Sequence, residues 1–90
     1  MVYDFKWIEW NVDHIARHEV EPYEAEWVVE QRRRPYPERA GEGKYLVRGQ
    51  TESGRFLEVI YAIEADDRIF VITARPLTDN EKRQFRRRHR

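Results

Sequence analysis

Hydrophobic and polar positions alternate most regularly in the second half of the chain. Two runs rich in β-branched and aromatic residues, Phe56 to Ile63 and Ile69 to Ala74, are separated by Glu64-Ala65-Asp66-Asp67-Arg68. A polar break of that length closes a hairpin. Lys44 to Thr51 reads as a preceding strand, and Glu52-Ser53-Gly54 as a three-residue turn with Gly54 in the left-handed position. Such a turn pairs Thr51 with Arg55 and sets Arg48 opposite Glu58. One face then carries Leu46, Arg48, Phe56, Glu58 and Ile60, with a cross-strand ion pair among apolar neighbours. The other carries Tyr45, Val47, Leu57, Val59 and Tyr61, and the helices are expected to cover this more apolar face. The last strand ends at Arg75, because Pro76 has no N–H to donate and is expected to stop the ladder.

The rest of the pattern is helical. Thr78-Asp79-Asn80-Glu81 reads as a capping box opening a basic helix. Near the N-terminus, Val2 to Trp7 alternates as a short edge strand, and Asn11 is suited to cap a helix running to about His18. Trp7 and Trp10 flank that start and are expected to staple into the core. Pro22 opens a second helix at the position where its missing N–H costs nothing, with Tyr23, Trp27 and Val28 as the apolar stripe. Glu24, Glu26 and Glu30 are then expected to face water. Gln31 to Gly43 holds Pro35, Pro37, Gly41 and Gly43 and reads as a loop, with room for a short edge strand near Arg33. The pattern therefore predicts an α+β fold: an antiparallel sheet of three to four strands with two N-terminal helices and one C-terminal helix.

Ninety residues without cysteine imply one domain, 1–90, with a modest core and no disulfide or thiolate chemistry. No apolar run approaches the ~20 residues that span a bilayer, so a cytoplasmic protein with no membrane contact is expected. The total charge is zero, but it is unevenly distributed. Residues 1–30 carry eight acids against two bases, and residues 68–90 eight bases against two acids. The basic end suits phosphate, whereas the acidic helices could equally lie against it within one fold.

No phosphate-binding glycine loop or nucleophile elbow is present; Ser53, the only serine, sits in a turn. His14 and His18 have the i,i+4 spacing of a chelating pair, yet Ile-Ala-Arg lies between them and no third ligand is evident. A helix-capping or packing role is expected for both, with no metal and no cofactor. Arginine carries the remaining chemistry, since a guanidinium forks onto two phosphate oxygens. Arg48, Arg55 and Arg75 fall at or near strand ends, with Lys44 close by, and the four together on one sheet form a candidate anion site. Three tryptophans and five tyrosines exceed what a core of this size needs, so some are expected to face a partner, a second copy included.

Trp10-Asn11, His14-Ile15-Ala16-Arg17-His18 with Val20, Glu24 and Ala25, Tyr45-Leu46-Val47, Gly49, Thr51, Gly54-Arg55, and Val71-Ile72-Thr73-Ala74-Arg75 with Thr78, Glu81, Arg83 and Phe85 together resemble the BrnT-like toxins. That family belongs to the RelE/ParE superfamily of bacterial type II toxin–antitoxin systems, and the resemblance spans nearly the whole chain. It implies a RelE-like fold and a metal-independent ribonuclease that inhibits translation until a cognate antitoxin covers it, acting on RNA such as ribosome-associated mRNA. Carried over by position, Arg55 and Arg75 would clamp phosphate, Arg48 and Lys44 would add charge, and His18 or Glu58 would serve as general base. Arg83, Arg86 and Arg87 would bind RNA. The alternative is a degenerate, non-catalytic member that still pairs with an antitoxin or another protein. Glu19 stands where many members have glycine, Pro76 follows the final arginine where a basic or polar residue is common, and the protein is neutral where toxins of this superfamily tend to be basic.

Overall fold

The computed structural model describes residues 3–88. Seven elements follow in order: α1 (Glu9–Ala16), α2 (Pro22–Glu30), β1 (Glu38–Arg39), β2 (Lys44–Gln50), β3 (Phe56–Ile63), β4 (Ile69–Pro76) and α3 (Asp79–Arg88). The four strands form one antiparallel sheet in the order β1-β2-β3-β4. The coarse expectation of an α+β fold with three helices and a four-stranded antiparallel sheet is met. Among the described residues no helix is long and apolar enough to cross a membrane.

Register follows from turn chemistry. Thr51 N–H donates to the Arg55 carbonyl at 2.7 Å, Gly54 N–H donates to the Thr51 carbonyl, and Gly54 has φ +99°. This is a three-residue turn closed by a left-handed residue, and Arg48 stands opposite Glu58 as the pattern predicts. The β3–β4 turn repeats the device. Glu64 and Arg68 close it, and Asp67 takes the left-handed position at φ +67°.

Alternation sorts β2 and β3 as expected. Val47, Leu57 and Val59 are fully buried and Tyr61 nearly so, packed with Ile15, Ala25, Val28 and Val29 of the two N-terminal helices. At Gly49 the helix comes so close that an added Cβ would stand 3.2 Å from Val28 Cγ1. In β4 strict alternation fails. Ile69, Val71 and Ala74 are all buried, because the pairing slips between Ile60 and Tyr61 and Ile72 has no partner. One extra residue exchanges the faces downstream. Without it, Arg75 would share the core face with Ile69 and Val71; with it, Arg75 lies opposite Glu58 on the outer face.

Several local expectations are corrected. Pro76 does not stop the ladder: Leu77 N–H donates to the Phe56 carbonyl at 2.9 Å. The proline nitrogen therefore faces the free edge, where no donor is required. The extra edge strand forms at Glu38–Arg39 rather than near Arg33. The segment expected as a strand from Val2 to Trp7 makes only a parallel bridge from Phe5 to Ile69, and Val2 lies outside the described residues. Helix α1 begins at Glu9 and ends at Ala16. Asn11 is inside it, fully buried, accepting from Ile8 N–H at 2.7 Å and donating to the carbonyls of Lys6 and Val71.

Instead of stapling into the core, Trp10 is half exposed and stacks between His14 and Phe70. Trp7 does pack against the core as expected, and its indole donates to Glu26 at 2.7 Å. The inward stripe of α2 is Ala25, Val28 and Val29 with Glu24, not Tyr23 and Trp27, and Tyr23 is 69% exposed. Smaller residues face inward because the helix lies against a glycine in β2. Helix α1 closes with Val20 N–H on the Ile15 carbonyl and Glu19 N–H on the Ala16 carbonyl, leaving Glu19 left-handed at φ +58°. This is the Schellman arrangement, in which glycine is favoured. Glu19 thus occupies the geometry that glycine would take.

Candidate functional site

The outer face of the sheet carries a row of alternating charge, Arg48 on β2, Glu58 on β3 and Arg75 on β4. Glu81, in the first turn of α3, closes the row into a ring. Arg48 donates to Glu58 at 3.1 Å and to Glu81 at 3.1 Å; Arg75 forms an ion pair with Glu58 at 3.0 Å and donates to Glu81 at 2.8 Å. The Arg75–Glu81 pair is two-pronged, with Nη1 on Oε1 and Nη2 on Oε2, both at 2.8 Å. The Glu58 side chain is 8% exposed, and those of Arg48 and Arg75 are 19% and 34% exposed. Packing therefore holds the inner carboxylate more firmly than the arginines at its sides.

Glu81 also serves its own helix. Its Oε1 accepts from Thr78 N–H at 2.8 Å, and Glu81 N–H donates to Thr78 Oγ1 at 3.2 Å, the reciprocal capping box expected from sequence. The Arg75 fork, followed by the Thr78 amide, holds the Glu81 carboxyl down at about 2, and the bond to Glu81, with the charge of Glu58, raises the Arg75 guanidinium. Glu81 stays an anion across the ordinary pH range.

Helix α3 buries no residue. Besides the ring, Phe85 packs edge-on against Phe56 and stacks on Tyr36, Arg86 lies 5.0 Å over the Phe56 ring, and Arg88 donates to Glu38 at 3.0 Å. Between α3 and the β1–β2 edge is a groove of about 490 Å³, lined by Tyr36, Arg39, Leu46, Arg48, Phe85 and Arg87 among others. Arginines and aromatic rings together on a concave surface suit a single-stranded nucleic-acid backbone and its bases.

The four cations grouped by sequence do not form one site. Arg48 and Arg75 converge. Arg55 is on the helix-covered side, where its Nη1 donates to both oxygens of Glu24, at 2.8 and 3.0 Å, and to the Glu19 carbonyl at 2.8 Å. Glu24, expected to face water, is 5% exposed, because it lies on the inward side of α2 with Ala25 and Val28, and it also accepts from Glu21 N–H at the start of the helix. Lys44 shares the outer face with Arg48 but lies four residues along β2, roughly 13 Å away at strand rise. Of the two general-base candidates, Glu58 is inside the ring, whereas His18 is exposed beside Glu19, at the Arg55 end. Arg83, Arg86 and Arg87 are exposed on α3, while His89 and Arg90 lie outside the described residues.

Sequence alone does not mark Glu81, Arg39 or Tyr36 for the site. The capping-box spacing identifies Glu81 as a helix residue, but nothing local indicates that its carboxylate reaches β2. Among the described residues no group of three or more His, Cys, Asp or Glu side chains could hold a metal ion. A second concavity, about 470 Å³, lies between α2 and the β2–β3 turn, and is acidic and aromatic, with Tyr23, Glu26, Trp27, Glu30 and Glu52 on its walls. Compared with protein-family models, curated proteins and solved structures, the chain matches none.

Proposed function

We propose that this chain is the toxin component of a bacterial type II toxin–antitoxin pair, a RelE-like, BrnT-like ribonuclease acting in the cytoplasm with RNA bound across the outer face of its sheet. The observation that carries the reading is the convergence of Arg48 and Arg75 beside a groove lined with arginines and aromatic rings. Two guanidinium groups from β2 and β4, on either side of β3 in one sheet, neutralise charge developing on a phosphate without reorganising. The RNA 2′-oxygen attacks phosphorus and the bond to the 5′-oxygen breaks, leaving a cyclic phosphate and a 5′-hydroxyl. The protein need only orient the phosphate, offset charge and move a proton. Glu58, held between the two arginines, is the general-base candidate on this face, and Arg39, Arg83, Arg86 and Arg87 supply contacts along the strand.

Induced expression in a bacterial host tests this reading. Growth should arrest with wild type and continue with Arg48→Ala/Arg75→Ala, and cleaved RNA should accumulate only in the first case. Unimpaired growth and intact RNA with folded wild-type protein would count against it.

A second reading is a non-catalytic module that pairs with an antitoxin or another protein. Two observations favour it: Glu58 and Glu81 balance both arginines of the ring, and the acidic cleft beside the exposed Tyr23 suits a basic segment of a protein partner. Stable association with the product of a neighbouring gene, without RNA cleavage, would distinguish it.

A further inference from the structure

The geometry points to Glu81 as a built-in stand-in for a phosphodiester: Arg48 and Arg75 form a subsite for one phosphodiester monoanion of a single-stranded RNA backbone, and Glu81 occupies it until a strand displaces it. The proposal rests on the RNA reading above and specifies how that site is closed and which phosphate it accepts.

Three guanidinium N–H groups from two strands converge on the two oxygens of Glu81, two from Arg75 at 2.8 Å and one from Arg48 at 3.1 Å. Forked donors of this kind serve carboxylate and phosphate oxygens alike. Charge then selects among phosphates. The closed ring holds two guanidinium groups and two carboxylates and is neutral. Without Glu81 it carries one net positive charge, since Glu58 stays bonded to both arginines. A phosphodiester monoanion restores neutrality, whereas a phosphomonoester dianion leaves excess negative charge beside the buried Glu58. Internal phosphates of a strand are therefore favoured over a terminal phosphate.

Glu81 can leave because α3 is lightly attached: Phe85, itself only partly buried, is the one side chain of the helix that packs against the core. No residue of the helix is buried, while Leu77 just before it is 5% exposed and anchors the point about which it would swing. Displacement is an exchange of anions rather than a protonation, as the Glu81 carboxyl titrates at about 2. Arg48 also lines the groove, so a strand lying there meets the subsite directly.

Glu81→Gln tests the proposal, since the amide oxygen can still accept from Thr78 N–H while the competing charge is gone. Diethyl phosphate and inorganic phosphate would be titrated at pH 8 against wild type and the variant, following the Nε–Hε resonances of Arg48 and Arg75. An eight-nucleotide single-stranded RNA would be titrated in parallel by fluorescence anisotropy. The expected result is a gain of about tenfold for diethyl phosphate and for RNA in Glu81→Gln, equivalent to removing a modest competing contact. The gain should be smaller for inorganic phosphate and absent in Glu81→Gln/Arg75→Gln.

Equal affinity of wild type and a folded Glu81→Gln for diethyl phosphate overturns the proposal. RNA binding without any diethyl phosphate response at the two arginines also overturns it but leaves the RNA reading standing. Diethyl phosphate binding there without RNA binding supports the subsite and sinks the RNA reading. Should the variant not fold, hydrogen exchange on wild type decides: the α3 amides should lose protection when the RNA is added, and unchanged protection with RNA bound overturns the proposal.

Discussion

Two helices of this protein begin with the same device and use it differently. In α2 and in α3 the glutamate of the third position reaches back to the amide that precedes the helix, Glu24 to Glu21 N–H and Glu81 to Thr78 N–H. Each also grips an arginine of the sheet at 2.8 Å, Arg55 in one case and Arg75 in the other. Helix α2 then buries Ala25, Val28 and Val29 against β2 and β3, whereas α3 buries nothing. Glu24 is accordingly fixed within the packing of its helix. Glu81 lies on a helix whose attachment depends largely on the contacts of the ring, one aromatic side chain and Arg88. An arginine–carboxylate pair that looks alike at both places is thus structural at one and exchangeable at the other.

The strongest way to break this comparison is Glu58→Ala. It leaves Arg48 and Arg75 sharing Glu81 alone above a vacated, nearly buried position, and a loss of about 3 kcal/mol in folding free energy is expected, as for removing one partner of a buried ion pair. Chemical denaturation measures it. Glu24→Ala should cost about 2 kcal/mol by the same measurement, since the helix-start bond and the Arg55 partner are lost together. Glu24 pairs with one arginine where Glu58 pairs with two, which keeps that loss the smaller of the two.

The acid limb of stability sharpens the contrast. Folding lowers the Glu81 carboxyl from its ordinary 4.5 to about 2. The stability this supplies is fully present above the unfolded value and is lost as pH falls through 4.5 toward about 2. Thermal unfolding followed across that window should show a steeper decline in wild type than in Glu81→Gln. The smallest effect is expected at the far end of α1. Glu19→Gly relieves a left-handed non-glycine residue and should stabilise by about 0.5–1 kcal/mol, raising the melting temperature by a few degrees. The Arg55 contact to the residue 19 carbonyl is a backbone contact and should survive.

Much of the site was legible in sequence only through local rules. Gly54 after Glu52-Ser53 dictates a three-residue turn, and this turn alone puts Arg48 opposite Glu58. Thr78 and Glu81, three residues apart, specify where α3 starts. The misplacement of Arg55 with Arg48 and Arg75 has a definite cause. Arg55 stands just before β3, in phase with Leu57 and Val59 on the face that the helices cover, and a guanidinium there has no partner legible in sequence until Glu24 of α2 receives it. Burial of Glu24 depends in turn on a helix that faces the sheet with small residues.

By itself the sequence determined the three helices and the three long strands, the two tight turns, the pairing of β2 with β3 and the cap of α3, because these depend on residues within a few positions of one another. Tertiary structure decided the rest. The unpaired Ile72 in β4 turns Arg75 from the core face to the outer face, and a bulge is a property of two paired strands that neither strand's alternation reveals. The return of α3 across β2 brings Glu81 to Arg48 over 33 positions of chain. A capping box can specify that a helix begins at Thr78, but only the packed sheet determines which arginines its glutamate will meet.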